Sequence, residues 1–284
     1  MFQINWKLKA LLYKVLFFVK FTRIFYLLQK YITKRSKVEI NKINELWVYH
    51  TKTIEEYNVK SVLEVGAGKS LSQNIYIAYK FNNAIEQTAV DIDLMIDFEL
   101  VNNASEQISN ILGLKNKGKV KNFDNLKKFY NIKYKAPCSL HDLKKNDDKF
   151  DICISTTALE HFTKEDLKKY LSDLKNILTK NILISSNIDY SDHYSHTDTS
   201  IGSLNYLSFS NKEWEKYDNS YLFQNRLRHQ DYKRIFKDSG YKIKKIIEGR
   251  ALQAPKNICS EFDIENKETY IGWAYFVIEL NKAS

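Results

Sequence analysis

At 284 residues, 44% of them apolar, the chain is long enough for one large α/β domain with an extension or for two small domains. Its three cysteines, Cys138, Cys153 and Cys259, are too scattered for a disulfide framework or a paired-cysteine metal site, which favours a reducing cytoplasm. The net charge of +10 does not predict nucleic-acid binding, because residues 1–40 hold nine Lys or Arg and one Glu, a balance of 9 − 1 = +8 that leaves +2 for the rest.

The N-terminal segment, residues 1–40, is basic and apolar, and we treat it as a helical extension of a domain that spans residues 41–284. Its uncharged runs, such as Val15 to Val19, are far too short to cross a membrane, and no small-residue cleavage site indicates a secretory signal. Two interpretations stay open. Residues 1–37 either lie on an anionic membrane surface as an interfacial helix, or pack on the domain or on a second copy in a homodimer.

The first predicted strand of the domain, Lys60 to Val65, ends in a glycine-rich turn. Gly66 and Gly68 follow the strand, and Leu71 to Tyr79 then keeps helical spacing. Strand, glycine turn and helix in this order form a ligand site at the end of a parallel strand. A phosphate-binding loop would need glycine at position 63 and a dinucleotide fold would need it at position 71, and both positions are leucine. Glu64, two residues before the first glycine, suits a ligand that carries an ammonium group.

Further strands bring polar residues to the same edge of the predicted sheet. Asp91 follows the second predicted strand, Gln87 to Val90, where a carboxylate can hold both hydroxyls of a ribose; Asp93 takes its place if the register shifts by two. The third strand, Ile132 to Pro137, precedes a polar loop. The fourth, Phe150 to Ser155, leads into residues 156–162.

The pattern Glu64-x-Gly66-x-Gly68, and the strand that contains Asp151 and leads to Leu159-Glu160-His161, resemble two motifs of class I S-adenosylmethionine-dependent methyltransferases. The resemblance covers about residues 59–280, with Lys69 and Leu71 as departures in the glycine turn. It implies a doubly wound, mostly parallel α/β sheet of the Rossmann-like type, with seven strands of which the last is antiparallel. It also implies an enzyme whose cofactor is S-adenosylmethionine. The cofactor-binding residues that it implies are Glu64, Gly66, Ala67, Gly68, Asp91, Ile92, His141, Asp142 and Thr156. In this family the adenine ring lies beside the loop after the third strand, where Asp142 or His141 could bond it.

A segment rich in Asp, His and Tyr follows the fifth predicted strand, and we predict a substrate-covering insertion over residues 187–230. A hydroxyl acceptor gains from a base that takes its proton as the new bond forms. His193 is the first choice for that base, with Asp192 or Asp189 orienting its ring, and His196 is the second choice.

The acceptor-binding residues that we predict are Glu160, His161, Tyr194, Asn225, Arg226 and Arg228. The two arginines could grip the pyrophosphate of a nucleotide-linked acceptor bidentately. Each group also has a structural alternative. The arginines could form surface ion pairs with Asp231 or Glu215, and Glu160 with His161 could be a hydrogen-bonded pair that fixes the loop.

A metal site is the rival explanation for the Asp- and His-rich segment. Two imidazoles and a carboxylate suffice for some metal-dependent enzymes, and the segment offers more than that. The candidate ligands are Asp189, Asp192, His193, His196 and Asp198. Consecutive residues such as Asp192 and His193 do not easily point at one ion, so we predict no metal site.

The segment from Asp189 to Asp231 resembles the substrate cover of methyltransferases in bacterial surface-polysaccharide pathways, such as capsule synthesis. The sequence therefore predicts O-methylation of a sugar, or of a nucleotide-linked sugar precursor of a bacterial surface glycan. The enzyme is expected in the cytoplasm, at the inner face of the membrane if residues 1–37 bind lipid. The alternatives are another acceptor (a lipid, a phosphorylated small molecule or RNA), a metal-dependent hydrolase-like site, and a protein that only binds the cofactor.

Overall fold

Seven strands form one sheet within the part of the chain that the computed structural model describes, residues 5–18, 38–219 and 223–281. The strands are β1 (Ser61–Val65), β2 (Glu86–Val90), β3 (Ile132–Lys135), β4 (Phe150–Thr156), β5 (Leu178–Asp189), β6 (Tyr241–Glu248) and β7 (Trp273–Leu280). They lie in the order β3-β2-β1-β4-β5-β7-β6, and β7 runs antiparallel to both of its neighbours. The predicted fold class, a mostly parallel α/β sheet with an antiparallel last strand, is confirmed.

Helices alternate with the parallel strands. They are α1 (Trp6–Phe18), α2 (Glu45–Glu56), α3 (Ser72–Lys80), α4 (Phe98–Leu112), α5 (Phe123–Tyr130), α6 (Leu140–Lys145), α7 (Lys164–Ile177), α8 (Asn211–Trp214) and α9 (His229–Asp238). Short 3₁₀ turns lie at Leu159–His161, His193–His196, Asn205–Ser208 and Lys267–Tyr270. Because β1 and β4 are central and covered by helices, residues such as Val62, Leu63 and Ile152 are fully buried.

The start of helix α7 is defined by a side chain that caps it. Thr163 caps α7, since its hydroxyl accepts a hydrogen bond from the backbone N–H of Asp166 at 3.0 Å. The fifth strand, which the sequence predicts over Asn181 to Ser186, is longer in the structure: β5 runs from Leu178 to Asp189, and its last three residues pair with residues 273–275 of β7. This extension carries Asp189 to the same edge of the sheet as the glycine turn.

Helix α1 packs on the segment that follows β5. The ring of Trp6 lies 4.5 Å from that of Tyr217 and its backbone N–H donates to Asp198 Oδ2 at 2.8 Å, while Lys9 Nζ donates to Thr197 Oγ1 at 2.8 Å. None of the described helices is long and apolar enough to cross a membrane. Residues 19–37 of the predicted extension lie outside the described residues, and the boundaries at 40 and at 187–230 stay predictions.

Candidate cofactor and acceptor site

The glycine turn after β1 has a backbone conformation and close contacts that favour glycine over residues with a side chain. Gly66 has φ of 78° and donates its N–H to Val90 O at 3.0 Å; a Cβ at this position would lie 2.8 Å from Cβ of Ala158. Gly68 also has positive φ, at 72°, and nothing lies within 4 Å of the place where its Cβ would be. The turn therefore leaves open space above its backbone, next to the half-buried Ala67, where a ligand can approach closely.

Glu64 reaches this turn from β1 as a buried carboxyl group. Its residue exposure is 3%, and Oε1 accepts a hydrogen bond from Gln73 Nε2 at 2.9 Å. Oε2 is buried and forms no hydrogen bond of normal geometry with the described residues. Burial raises the pKa of Glu64 to about 8; the nearby side chain of Asn74 opposes this rise, and the carboxylate of Asp91 adds to it. A buried oxygen that lacks a donor beside an open turn fits the ammonium group of a ligand.

Asp91 follows β2 and faces the same turn. Its Oδ2 accepts a hydrogen bond from the Tyr134 hydroxyl at 3.0 Å, and the backbone N–H of Gly68 is near enough to favour the charged form of the carboxylate. Burial raises the pKa of Asp91 to about 6. Asp93 is exposed, and Ile92 is 79% exposed. Of the two acids that the sequence offered, the structure brings Asp91 to the glycine turn.

The predicted adenine contacts lie beyond β3. Asp142 is exposed and caps α6, since its Oδ2 accepts hydrogen bonds from the Ser139 backbone N–H at 2.8 Å and hydroxyl at 2.7 Å. His141 is exposed on the same helix. This cap explains Asp142 without a ligand, and the adenine contact of either residue stays a prediction.

Thr156, at the end of β4, is joined to Glu64 through one side chain. Its hydroxyl donates to Gln73 Oε1 at 2.6 Å, and the amide of Gln73 donates to Glu64. Because that hydroxyl proton is used, the His50 ring nitrogen Nε2 that lies 3.0 Å from Thr156 Oγ1 must be the donor of the next bond. Burial lowers the pKa of His50 to about 3, so the ring is neutral and can hold this single tautomer.

The other ring nitrogen of His50 extends this chain of hydrogen bonds into the sheet. His50 Nδ1 lies 2.7 Å from Ser185 Oγ, which in turn lies 2.6 Å from the hydroxyl of Tyr275. Sequence reasoning missed His50. The signal was its place on the buried face of α2, at helical spacing from Trp47 and Ile54, where a histidine needs polar partners. This chain of hydrogen bonds fixes the orientation of Gln73 and, through Gln73, that of Glu64.

The second half of the site lies after β4 and β5. The possible ligand atoms of Glu160, His161 and His193 all lie within 4.8 Å of one another. His193 Nε2 lies 3.7 Å from Asp189 Oδ2, and the rings of His161 and His193 are 5.1 Å apart. Asp189 also lines a cavity of about 650 Å³, together with Thr157, Asn187, Trp273 and residues 39–42 and 44–47. A small polar acceptor could lie in this cavity against the cluster.

Two groups in this cluster are shifted toward their neutral forms. Burial raises the pKa of Glu160 well above its ordinary value; the backbone N–H groups of Glu160 and Asp189 oppose the rise, and the charge of Asp189 adds to it. Burial lowers the pKa of His193 to about 4; Asp189 opposes this shift, and His161 and His196 add to it. Both oxygens of Glu160 are buried and lack hydrogen-bond partners among the described residues. Among the described residues, Glu160 and His161 therefore do not form the hydrogen-bonded pair considered from the sequence. His161 Nδ1 instead lies at hydrogen-bond distance, 2.6 Å, from Phe223 O.

The structure does not bring Asp192 to the ring of His193. Asp192 is fully buried, and its oxygens accept hydrogen bonds from the Tyr194 backbone N–H and from Asn205 Nδ2, both at 2.9 Å. The carboxylate caps the 3₁₀ turn, and Asp189 is the acid that faces His193. The metal set considered from the sequence is not assembled either, because Asp198 bonds Trp6 and Ser200.

His196, the second choice for the base, lies beside His193 with ring centroids 5.2 Å apart. Its Nε2 is 3.1 Å from the hydroxyl of Ser191. Its ring contacts His193, but His196 does not belong to the group of ligand atoms that lie within 4.8 Å of one another.

Four predicted acceptor-binding residues donate hydrogen bonds to backbone carbonyls inside the fold: Tyr194, Asn225, Arg226 and Arg228. Tyr194 is buried against Trp6, and its hydroxyl donates to Tyr217 O at 2.6 Å. Asn225 Nδ2 donates to the carbonyls of Leu159 and Phe162, which holds the turn after β4.

The two arginines are 6% (Arg226) and 1% (Arg228) exposed, and their guanidinium groups donate to backbone carbonyls. They do not form the surface ion pairs considered from the sequence, and the predicted contact with a pyrophosphate stays a prediction. Positive charge inside a long polar insertion has two explanations, a ligand or internal carbonyls, and the sequence does not distinguish them.

No protein-family model and no curated protein matches the chain. Among solved structures it is similar to the CurJ carbon methyltransferase (13% identity, 84% of this chain and 54% of that chain, TM-score 0.47) and to a putative O-methyltransferase from Nostoc punctiforme PCC 73102 (13%, 83% and 56%, 0.48). It is also similar to magnesium protoporphyrin IX methyltransferase from Synechocystis PCC 6803 with bound SAH (12%, 86% and 90%, 0.46). The chain spans a little over half the length of the first two. Likenesses this distant do not say what the present chain acts on.

Proposed function

We propose that the chain is an S-adenosylmethionine-dependent methyltransferase. The observation that carries the proposal is the buried, unpartnered Oε2 of Glu64 beside the open glycine turn. In this assignment Glu64 holds the amino group, the backbone at Gly66 and Gly68 lies against the methionine part, and Asp91 holds the ribose hydroxyls. The cofactor supplies an activated methyl group on sulfur, so the protein's main task is to hold the acceptor in line with it.

For the acceptor, we propose a hydroxyl group on a small polar molecule, with a sugar as the leading candidate. Two features support this choice: the cavity of about 650 Å³ with Asn187 and Asp189 in its wall, and His193, whose Nε2 lies 3.7 Å from Asp189 Oδ2. A nucleotide-linked sugar loses its main support, because Arg226 and Arg228 are occupied inside the fold. The assignment of the acceptor's proton to His193, and the connection to a bacterial surface glycan, stay predictions from the sequence.

Binding of S-adenosylhomocysteine tests the cofactor site. We expect wild-type protein to bind it in the micromolar range and Asp91→Asn to bind it about ten- to 100-fold more weakly, because the amide cannot accept hydrogen bonds from both ribose hydroxyls. Isothermal titration calorimetry measures both. Asp93→Asn, an exposed neighbour, is the matched control and should bind as wild type does. Failure of the folded wild type to bind either S-adenosylmethionine or S-adenosylhomocysteine would refute the proposal.

We also propose that the N-terminal helix touches an anionic membrane in the cytoplasm. One face of α1 packs on the protein through Trp6 and Ala10, while Leu8, Leu11, Leu12 and Val15 on the other face are 47–59% exposed. These four residues follow the spacing of one helical stripe. The basic residues within residues 1–37 have the charge that anionic lipid attracts.

Co-flotation with vesicles tests this contact. We expect wild-type protein to float with an equal mixture of phosphatidylcholine and phosphatidylglycerol, and the double variant Leu8→Gln/Leu11→Gln to bind about tenfold more weakly because it buries less apolar surface. The double variant Leu114→Gln/Ile264→Gln, at residues of similar exposure elsewhere, is the control. A wild type that stays with the soluble fraction would contradict the contact. In that case a dimer that dissociates in the α1 variant would assign the stripe to a second copy.

A further inference from the structure

Glu160 presents a buried carboxyl group whose oxygens form no hydrogen bond of normal geometry. The residue is 1% exposed, and the backbone N–H groups of Glu160 and Asp189 approach the carboxyl group without completing such a bond, nor does any other described residue complete one. Leaving both oxygens of a buried carboxyl unpaired is costly in either protonation state. Such a group in a native fold is expected to have a partner that binds to the site.

The groups around Glu160 indicate what kind of partner this is. His161 and His193 each offer a ring nitrogen, and with a carboxylate oxygen of Glu160 these atoms lie within 4.8 Å of one another. His161 Nδ1 is held by Phe223 O at 2.6 Å, which fixes the ring and leaves Nε2 as the nitrogen available to a ligand. A second carboxylate, that of Asp189, lies 3.7 Å from His193 Nε2.

The positions of these groups also favour a cation. A carboxyl oxygen of Glu160 lies within 4.8 Å of a ring nitrogen of each histidine, and Asp189 brings a second carboxyl group to His193. Imidazole nitrogens and carboxylate oxygens this close together are a donor set that a divalent cation binds.

We propose that Glu160, His161 and His193 bind a divalent transition-metal ion, with Asp189 as the nearest further carboxylate. Two imidazoles and a carboxylate favour Zn²⁺, Fe²⁺, Co²⁺ or Mn²⁺ over Mg²⁺ and Ca²⁺, which prefer oxygen ligands throughout. These ligands come from the turn after β4 and the turn after β5. They differ from the set within residues 189–198, which the structure does not assemble.

The site would define how an acceptor is activated, and this step rests on the proposed function. In methyl transfer the hydroxyl oxygen forms a bond to the methyl carbon as the carbon–sulfur bond breaks, and the hydroxyl proton leaves to solvent. A cation next to the hydroxyl favours loss of that proton. His193 would then act as a ligand of the ion rather than as the base, and acceptors with two neighbouring oxygens would bind best.

Titration with Co²⁺ alone tests the site without any cofactor or acceptor. We expect the full-length wild type to bind one ion per chain, with visible absorption of nitrogen and oxygen ligation and without the near-ultraviolet charge-transfer band of a cysteine site. Glu160→Gln and His161→Ala should each weaken binding by about 100-fold or more, because each removes a ligand. His141→Ala, an exposed histidine on α6, is the matched control and should bind as the wild type does.

Two results would overturn the proposal: no Co²⁺ binding by the folded wild type, or binding that Glu160→Gln and His161→Ala leave unchanged. Far-ultraviolet circular dichroism of each variant shows that a loss of binding is not a loss of folding. Binding of S-adenosylhomocysteine, measured on the same samples, separates the two proposals. Protein that binds Co²⁺ through these residues and no S-adenosylhomocysteine would keep the metal site and refute the methyltransferase.

Discussion

The Glu64→Gln variant is expected to lose S-adenosylmethionine binding while the ligand-free protein becomes more stable. The amide cannot pair with an ammonium group, so we expect affinity to fall by about 100-fold. The same change removes a carboxyl whose pKa burial raises to about 8 in the folded protein. We expect the free energy of unfolding at about pH 8 to rise by about 2–4 kcal/mol.

The dependence on pH separates this expectation from a general stabilisation. The folded pKa of Glu64 lies above the ordinary value of 4.5, so the folded protein binds the extra proton between pH 4.5 and about 8. The free energy of unfolding of the wild type therefore decreases as pH rises through this window. In Glu64→Gln this contribution to the decrease disappears, so the two proteins should be similar at about pH 5 and differ most at about pH 8.

Ligand affinity should change with pH in the opposite sense. An ammonium ligand needs the carboxylate form of Glu64, so binding below about pH 8 releases its proton and affinity increases with pH up to that value. Asp91, whose pKa is raised to about 6, adds to the increase in the lower part of the range. Glu64→Gln keeps only this lower part.

Calorimetric titrations and urea unfolding across this pH range measure both effects. Glu56→Gln, an exposed glutamate at the end of α2, is the control and should change neither affinity nor stability appreciably. A Glu64→Gln variant with the affinity of the wild type would show that this carboxyl does not hold the ligand. One that is less stable than the wild type at about pH 8 would show that Glu64 has an ion partner in the folded protein.

The cofactor half of the site follows from the sequence because strand register fixes it. Once Val62 to Val65 is recognised as a buried strand, the glycines that follow and Asp91 at the end of the neighbouring strand must meet at one edge of the sheet. His50 joins this half from a helix that precedes β1. Its partners, Thr156 and Ser185, are more than 100 residues away in the chain, and no local pattern encodes such a contact.

The insertion after β5 could not be interpreted in the same way. It consists of short turns without a period of 2 or 3.6 residues, so the sequence does not show which of its polar side chains face inward. Asp192 and Asp189 are equally plausible partners for His193 on spacing alone, and only the cap at Asp192 decides between them. The sequence likewise does not show that Arg228, a predicted acceptor-binding residue, faces inward.

Arg228→Lys is expected to destabilise the protein strongly. Arg228 Nε donates to Thr269 O at 2.8 Å, Nη1 to Tyr190 O at 2.8 Å, and Nη2 to Ile271 O at 2.7 Å. This fork joins the end of β5 to the chain that leads into β7. The ammonium of lysine cannot reproduce its planar geometry, so buried carbonyls would be left unpaired.

We expect a loss of about 3–5 kcal/mol in the free energy of unfolding by urea, which is a large part of the stability of a typical domain. Arg234→Lys is the matched control: its side chain is 62% exposed and pairs with Asp231 at 2.6 Å, so the change should cost less than about 1 kcal/mol. A ligand-binding arginine would give the reverse result, with Arg228→Lys as stable as the wild type and altered only in its affinity for the acceptor. The carbonyls around the guanidinium are the physical reason to expect the first result. Tyr190 O also accepts a hydrogen bond from the Tyr206 hydroxyl at 2.6 Å, but Thr269 O and Ile271 O would each lose the guanidinium donor that they have in the structure.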